Sequence, residues 1–144
     1  MSANATPQAI PLPPDQVLGH PKALWNLFGA EFWERFCYYG MRAMLAVHVA
    51  TAFFAHLGDQ AAAQASLTYG GYTSMVYMTG IAGGYIADRI LGYQRSIMLG
   101  GALMAAGMFM LMAPDLTTFL VGLAVIVVGN GLFKPNISTM VGKL

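Results

Sequence analysis

Four apolar segments joined by short polar connections fill almost the whole chain after residue 20, and they leave it little choice of fold. Residues 24–54 run without a proline, and Pro21 stands where the first turn of a helix accepts one. Further spans are expected at about 66–87, 96–112 and 118–141. They are divided by Gly58-Asp59, by Asp88-Arg89 with Gly92-Tyr93-Gln94-Arg95, and by Pro114-Asp115. Each approaches the roughly 20 residues that cross a bilayer at about 1.5 Å rise per residue. The expected fold is an all-α membrane protein with four transmembrane helices.

Composition agrees: 57% of the residues are hydrophobic and 9% charged, against roughly 25% charged in a soluble domain. A formal net charge of +1 with no basic run leaves no electrostatic footprint for nucleic acid. One cysteine, Cys37, and no clustered histidines exclude an internal disulfide and a metal-ligand spacing, so Cys37 reads as packing. The first twenty residues hold four of the seven prolines and no Lys or Arg, which a signal peptide would need. They read as a disordered cytoplasmic tail.

Lys22, Arg89, Arg95 and Lys143 fall at one end of the expected bundle, Asp59 and Asp115 at the other. The basic end is expected to be cytoplasmic, with the N-terminus on that side. Gly80, Gly83, Gly84, Gly100, Gly101 and Gly107 make spans two and three suited to close helix packing.

The stretch EFWERFCYYGMR, residues 31–42, sets charge inside the first span. At about 100° per residue, Glu31, Glu34, Arg35, Tyr38, Tyr39 and Arg42 share one arc of roughly 140°. Intramembrane charges cost several kcal/mol by insertion scales, about 3 each, and are kept where they pair or face a cavity. Glu31 with Arg35 is a favourable i,i+4 pair. A structural ion-pair seam between two helices is the simpler alternative, and six polar groups in one stripe weigh against it. Span four adds Lys134, followed by Pro135, which frees a backbone carbonyl. The economical counterion is Glu31 or Glu34, which predicts contact between spans one and four. Two carboxylates against Arg35, Arg42 and Lys134 leave one positive charge, which an anionic ligand group would neutralise.

The run Glu31-x-x-Glu34-Arg35-Phe36-x-Tyr38-Tyr39-Gly40 resembles the ExxERFxYYG signature of the proton-dependent oligopeptide transporters, a branch of the major facilitator superfamily. GGYIADRILGYQRS resembles that superfamily's loop between helices two and three, and GLFKPNIS the family's helix-four lysine segment. The resemblance implies uptake of di- and tripeptides coupled to protons, through a site between two six-helix bundles, in a bacterial cytoplasmic (inner) membrane. The four spans would open the N-terminal bundle. Glu31, Glu34, Arg35 and Lys134 match the proton-coupling network. Arg35, Tyr38, Tyr39, Arg42, Tyr77 and Lys134 match positions of the peptide pocket. Asp88 and Arg89 match the gating loop. No cofactor is implied; the proton gradient drives the cycle, and the partners are peptide, proton, lipid and the remaining helices or other transporter chains.

Two features depart from the family. Gly70 stands where animal members carry a histidine, so the carboxylate network becomes the expected proton carrier, and His48 and His56 are expected to be structural. Members have at least twelve spans, whereas four are present here, so either the remainder is missing or the chain is a fragment. The alternatives are a four-helix homo-oligomeric carrier of small solutes and an inactive truncated product acting only by association. An intramembrane hydrolase using Glu31 and Glu34 is disfavoured: both lie beside arginines, and no nucleophile accompanies them. The chain is not expected to be an enzyme.

Overall fold

The structure, a computed structural model, describes residues 16–143. Most of the expected N-terminal tail, residues 1–15, lies outside the described residues. Gln16–Val17 (β1) and His20–Pro21 (β2) form a minimal antiparallel hairpin rather than a continuation of that tail. Trp25 Nε1 donates to the Val17 carbonyl at 3.1 Å, which ties the hairpin to the first helix.

Helix α1 covers Lys22–His48, about 40 Å of rise, and continues into a π-helical turn at Val49–Phe53. A 3₁₀ connection at Ala55–Gln60 reverses the chain at Gly58, whose φ of 57° suits glycine. Helix α2 then covers Ala61–Ile86 and runs into a second π-helical turn, Ala87–Leu91. It begins five residues before the expected Ser66, because the Ala61-Ala62-Ala63 run is strongly helix-forming. The break expected over 88–95 shrinks to Gly92, at φ 78° and ψ 156°, and α3 (Tyr93–Met110) starts at once. Helix α4 (Leu116–Val141) is capped by Asp115, whose carboxylate accepts from the Thr118 backbone N–H at 2.7 Å. That bond holds the Asp115 carboxyl below its ordinary range. Pro135 sits inside α4 without ending it, and Asn136 Nδ2 donates to the Leu132 carbonyl at 2.6 Å.

The four helices alternate in direction, so Lys22, Arg89, Arg95 and Lys143 share one end and Asp59 and Asp115 the other. Helix α4 is central, packing most closely on α3 and next on α2, while α1 meets α2 and touches α4 at few points. The α3–α4 and α2–α4 seams are made by facing glycines. A Cβ on Gly100 would lie 2.6 Å from the Gly129 carbonyl oxygen, one on Gly107 2.8 Å from that of Gly122, and one on Gly83 would collide with the backbone of Gly131. Gly83, Gly100 and Gly107 therefore pack as expected, but Gly80 and Gly101 meet nothing and Gly84 only brushes Pro135. The glycines opposite them, all on α4, were not anticipated. The apolar core, with Leu45, Val49, Tyr72, Val76, Phe119, Leu123, Ile126 and Val127, lies toward the acidic end. His48 packs there against Phe53 and Phe119, consistent with a structural residue.

Among the described residues, only α4 is long and apolar enough to cross a membrane by its own composition. Helix α1 is interrupted by Glu31, Glu34, Arg35 and Arg42, and α2 and α3 are diluted by glycine, tyrosine and hydroxyl residues. Their insertion depends on burying those groups against neighbours.

Candidate functional site

The polar stripe of α1 divides into two clusters. In the first, Arg35 donates to Glu31 Oε1 from Nη2 at 2.8 Å and from Nε at 3.0 Å. Its Nε also lies 3.6 Å from Glu34 Oε2. The i,i+4 pair expected from the spacing is thus present, and a single guanidinium serves both carboxylates. The two differ in setting, since the Glu31 side chain is 31% exposed and that of Glu34 only 6%. Glu34 is held from across the bundle by Asn130, whose Nδ2 donates to its Oε1 at 3.1 Å.

Lys134 departs from expectation. Neither glutamate lies within 4 Å of its ammonium among the described residues; instead Nζ stands 5.9 Å from the centre of the Tyr77 ring. The predicted contact between spans one and four does exist, but Asn130, one turn before Lys134, makes it. With Glu34 already bonded to Asn130 and beside Arg35, the carboxylate has its charge compensated without the lysine. Lys134 is thereby left half-buried, with its ammonium over the Tyr77 ring and no carboxylate partner among the described residues.

The second cluster surrounds Arg42. Its Nε donates to the Tyr69 hydroxyl, and its Cζ lies 5.2 Å from the Tyr69 ring centre and 6.0 Å from that of Tyr38. Tyr38 meets Tyr39 edge to face at 5.5 Å. Tyr39 and Tyr77 are both exposed. The arrangement offers a cation framed by phenol rings, which can bind a carboxylate while covering an apolar side chain. Tyr69 and Asn130 escaped the sequence reading. Asn130, a lone amide four residues before Lys134 in an apolar run, was the detectable signal; Tyr69 carries none beyond its place among several tyrosines of α2.

A cavity of about 320 Å³ opens between α1, α3 and α4, with Glu34, Tyr38, Met104 and Phe133 in its wall. Cys37, expected to serve packing, also lines it and is exposed. At the basic end, Tyr93 donates to Asp88 Oδ1 at 2.6 Å, the Lys143 ammonium sits 4.0 Å from the Tyr93 ring centre, and Arg89 lies over Tyr85. Asp88 and Arg89 thus stand among aromatic rings where α2 turns into α3.

Four apolar helices of alternating direction, with charges paired along one of them, define a helical membrane protein. Residues 94–144 match the sequence profile described as PTR2, POT family. The chain is 47% identical over 130 residues to a di-/tripeptide transporter of Lactococcus lactis subsp. lactis, an alignment covering 88% of this chain and 26% of the relative. It is 41% identical over 136 residues to an uncharacterized transporter of Bacillus subtilis, covering 92% and 27%. Its backbone superposes on a crystal structure of a mutant peptide transporter POT in complex with alafosfalin with a TM-score of 0.78 at 41% identity, over 90% of this chain and 27% of the other. The chain belongs to the POT family, and it spans about a quarter of the length of the relatives it matches.

Proposed function

We propose that these helices form the opening part of the N-terminal bundle of a symporter that takes di- and tripeptides across a bacterial cytoplasmic membrane with protons, the N-terminus lying in the cytoplasm. The observation that carries this reading is the α1 cluster, in which one arginine bridges two glutamates of unequal burial and α4 holds the buried one through Asn130, one turn before Lys134. A carboxylate so placed can take up a proton when its cation partner is drawn elsewhere, which links proton loading to the binding of an anionic group. Glu31, Glu34, Arg35 and Lys134 act in coupling. Arg42, Tyr38, Tyr39 and Tyr77, with Arg35 and Lys134, line the half of the pocket that meets peptide. Asp88 and Arg89 hold the cytoplasmic turn closed between transport steps. The work is transport rather than catalysis, and the proton gradient takes the place of a cofactor.

The family membership and the alafosfalin complex of the solved relative support the peptide class. The test is reconstitution of the full-length natural protein in proteoliposomes. An acid-outside gradient is expected to accumulate labelled dipeptide, and collapse of the gradient to stop it. Gradient-independent equilibration as the sole activity would overturn the proton-coupled reading.

A further inference from the structure

Asn130 is 2% exposed, in a part of α4 otherwise made of Gly, Val, Leu and Phe. Its Nδ2 donates to Glu34 Oε1, and its one further hydrogen-bond approach among the described residues is a long 3.9 Å one to Met104 Sδ. Its Oδ1 accepts no hydrogen bond, and Glu34 Oε2 makes none either. Two buried acceptors without a hydrogen bond on this pair of side chains are unfavourable, even with Arg35 Nε 3.6 Å from Glu34 Oε2, and a proton on the carboxyl supplies a donor, since a carboxylic acid needs an acceptor for its O–H. Arg35 and Lys134 cannot supply one, because guanidinium and ammonium groups only donate. An amide does both.

We propose, resting on the proton-coupled reading above, that Asn130 is a positioning residue that keeps Glu34 hydrogen-bonded in both its charged and its neutral form. The amide donates to the carboxylate; once Glu34 is protonated, Oδ1 accepts from the acid O–H while Nδ2 goes on donating to the other carboxyl oxygen. The proton arrives on Glu34 without leaving a buried hydroxyl unsatisfied, so loading needs no repacking of α1 on α4. The charged or titratable groups around Glu34 are Arg35 and Glu31 on its own helix, Lys134 on α4 and Tyr72 on α2. Glu31 Oε2 and the Tyr72 hydroxyl are also buried without a hydrogen-bond partner, but neither is hydrogen-bonded to Glu34, whose one hydrogen bond among the described residues comes from Asn130.

The test is infrared difference spectroscopy of the full-length protein in lipid as pH is changed, with Glu34→Gln identifying the carboxyl band. The amide's bond to the charged form is the stronger of its two. Asn130→Leu is therefore expected to raise the C=O stretching frequency of the protonated acid and to move the midpoint of its titration upward by about 0.5–1 pH unit. Asn130→Thr, whose hydroxyl both donates and accepts, is expected to return both toward the parent values. If the leucine variant does not insert, Asn130→Asp serves: a second carboxylate beside Glu34 moves the midpoint further up. Parental frequency and midpoint in Asn130→Leu would overturn the proposal. A parent that fails to accumulate dipeptide removes the functional reading instead, while the spectra still judge Asn130.

Discussion

The ammonium of Lys134 lies 5.9 Å from the centre of the Tyr77 ring, with no carboxylate of the described residues within 4 Å. A cation–π contact contributes on the order of 1 kcal/mol, less than an ion pair in a dry site, so the lysine stays available to an anion. Lys134→Gln removes the charge and keeps hydrogen-bonding capacity. In the full-length protein it is expected to abolish gradient-driven dipeptide accumulation while insertion, and exchange of peptide down its own gradient, persist. Uptake measured against external pH, with and without an imposed gradient, checks this; accumulation at the parent level would remove Lys134 from coupling.

Arg42 is framed by Tyr38 and Tyr69 and has no carboxylate partner among the described residues. Arg42→Ala is expected to weaken dipeptide binding severalfold, since it removes a hydrogen bond between charged groups. Calorimetric titration of the folded variant reads this directly. Unchanged affinity would make the Arg42–Tyr69 contact a strut between α1 and α2.

The glycine seams make a stability prediction independent of transport. Gly100→Ala and Gly129→Ala each place a Cβ against backbone of the facing helix and are expected to cost about 1–3 kcal/mol by overpacking. Gly101→Ala meets nothing within 4 Å and is expected to be neutral. Thermal unfolding in detergent compares them, and equal midpoints for all three would refute the close approach of α3 to α4.

Asp115 is exposed and caps α4 through the Thr118 N–H, which lowers its pKa from 3.8. A carboxyl whose folded pKa is depressed contributes stability above its unfolded value and loses it as pH falls through the folded one. Asp115→Ala is therefore expected to lower the melting temperature near neutral pH, with the difference fading below about pH 4. Asp115→Asn keeps an acceptor for the cap and is expected to stay closer to the parent. Melting curves of the three proteins from neutral to acid pH decide it; a gap for Asp115→Ala that does not narrow in acid would show that the charge plays no part.

Residues 1–144 alone are expected not to concentrate dipeptide, because alternating access requires a second bundle to rock against the first. Proteoliposomes containing only these residues provide the check. Gradient-driven accumulation there would favour a four-helix homo-oligomer.

What the amino-acid order settled by itself was local. Hydrophobic length and proline-free runs specify four helices; helical periodicity places Glu31, Glu34, Arg35, Tyr38, Tyr39 and Arg42 on one arc; and the spacing of Glu31 and Arg35 is enough to pair them. The alternation of helix direction likewise sorts the basic and acidic ends. These features need no knowledge of how one helix is rotated against the next. The partners across helices do need it. Asn130 rather than Lys134 meets Glu34, Tyr69 joins Arg42, and Gly122, Gly129 and Gly131 receive the glycines of α2 and α3. The rotation and register of α4 determine all of them. Close packing at Gly122, Gly129 and Gly131 fixes that register, and a displacement of a single turn would exchange Asn130 for Lys134 at the buried carboxylate.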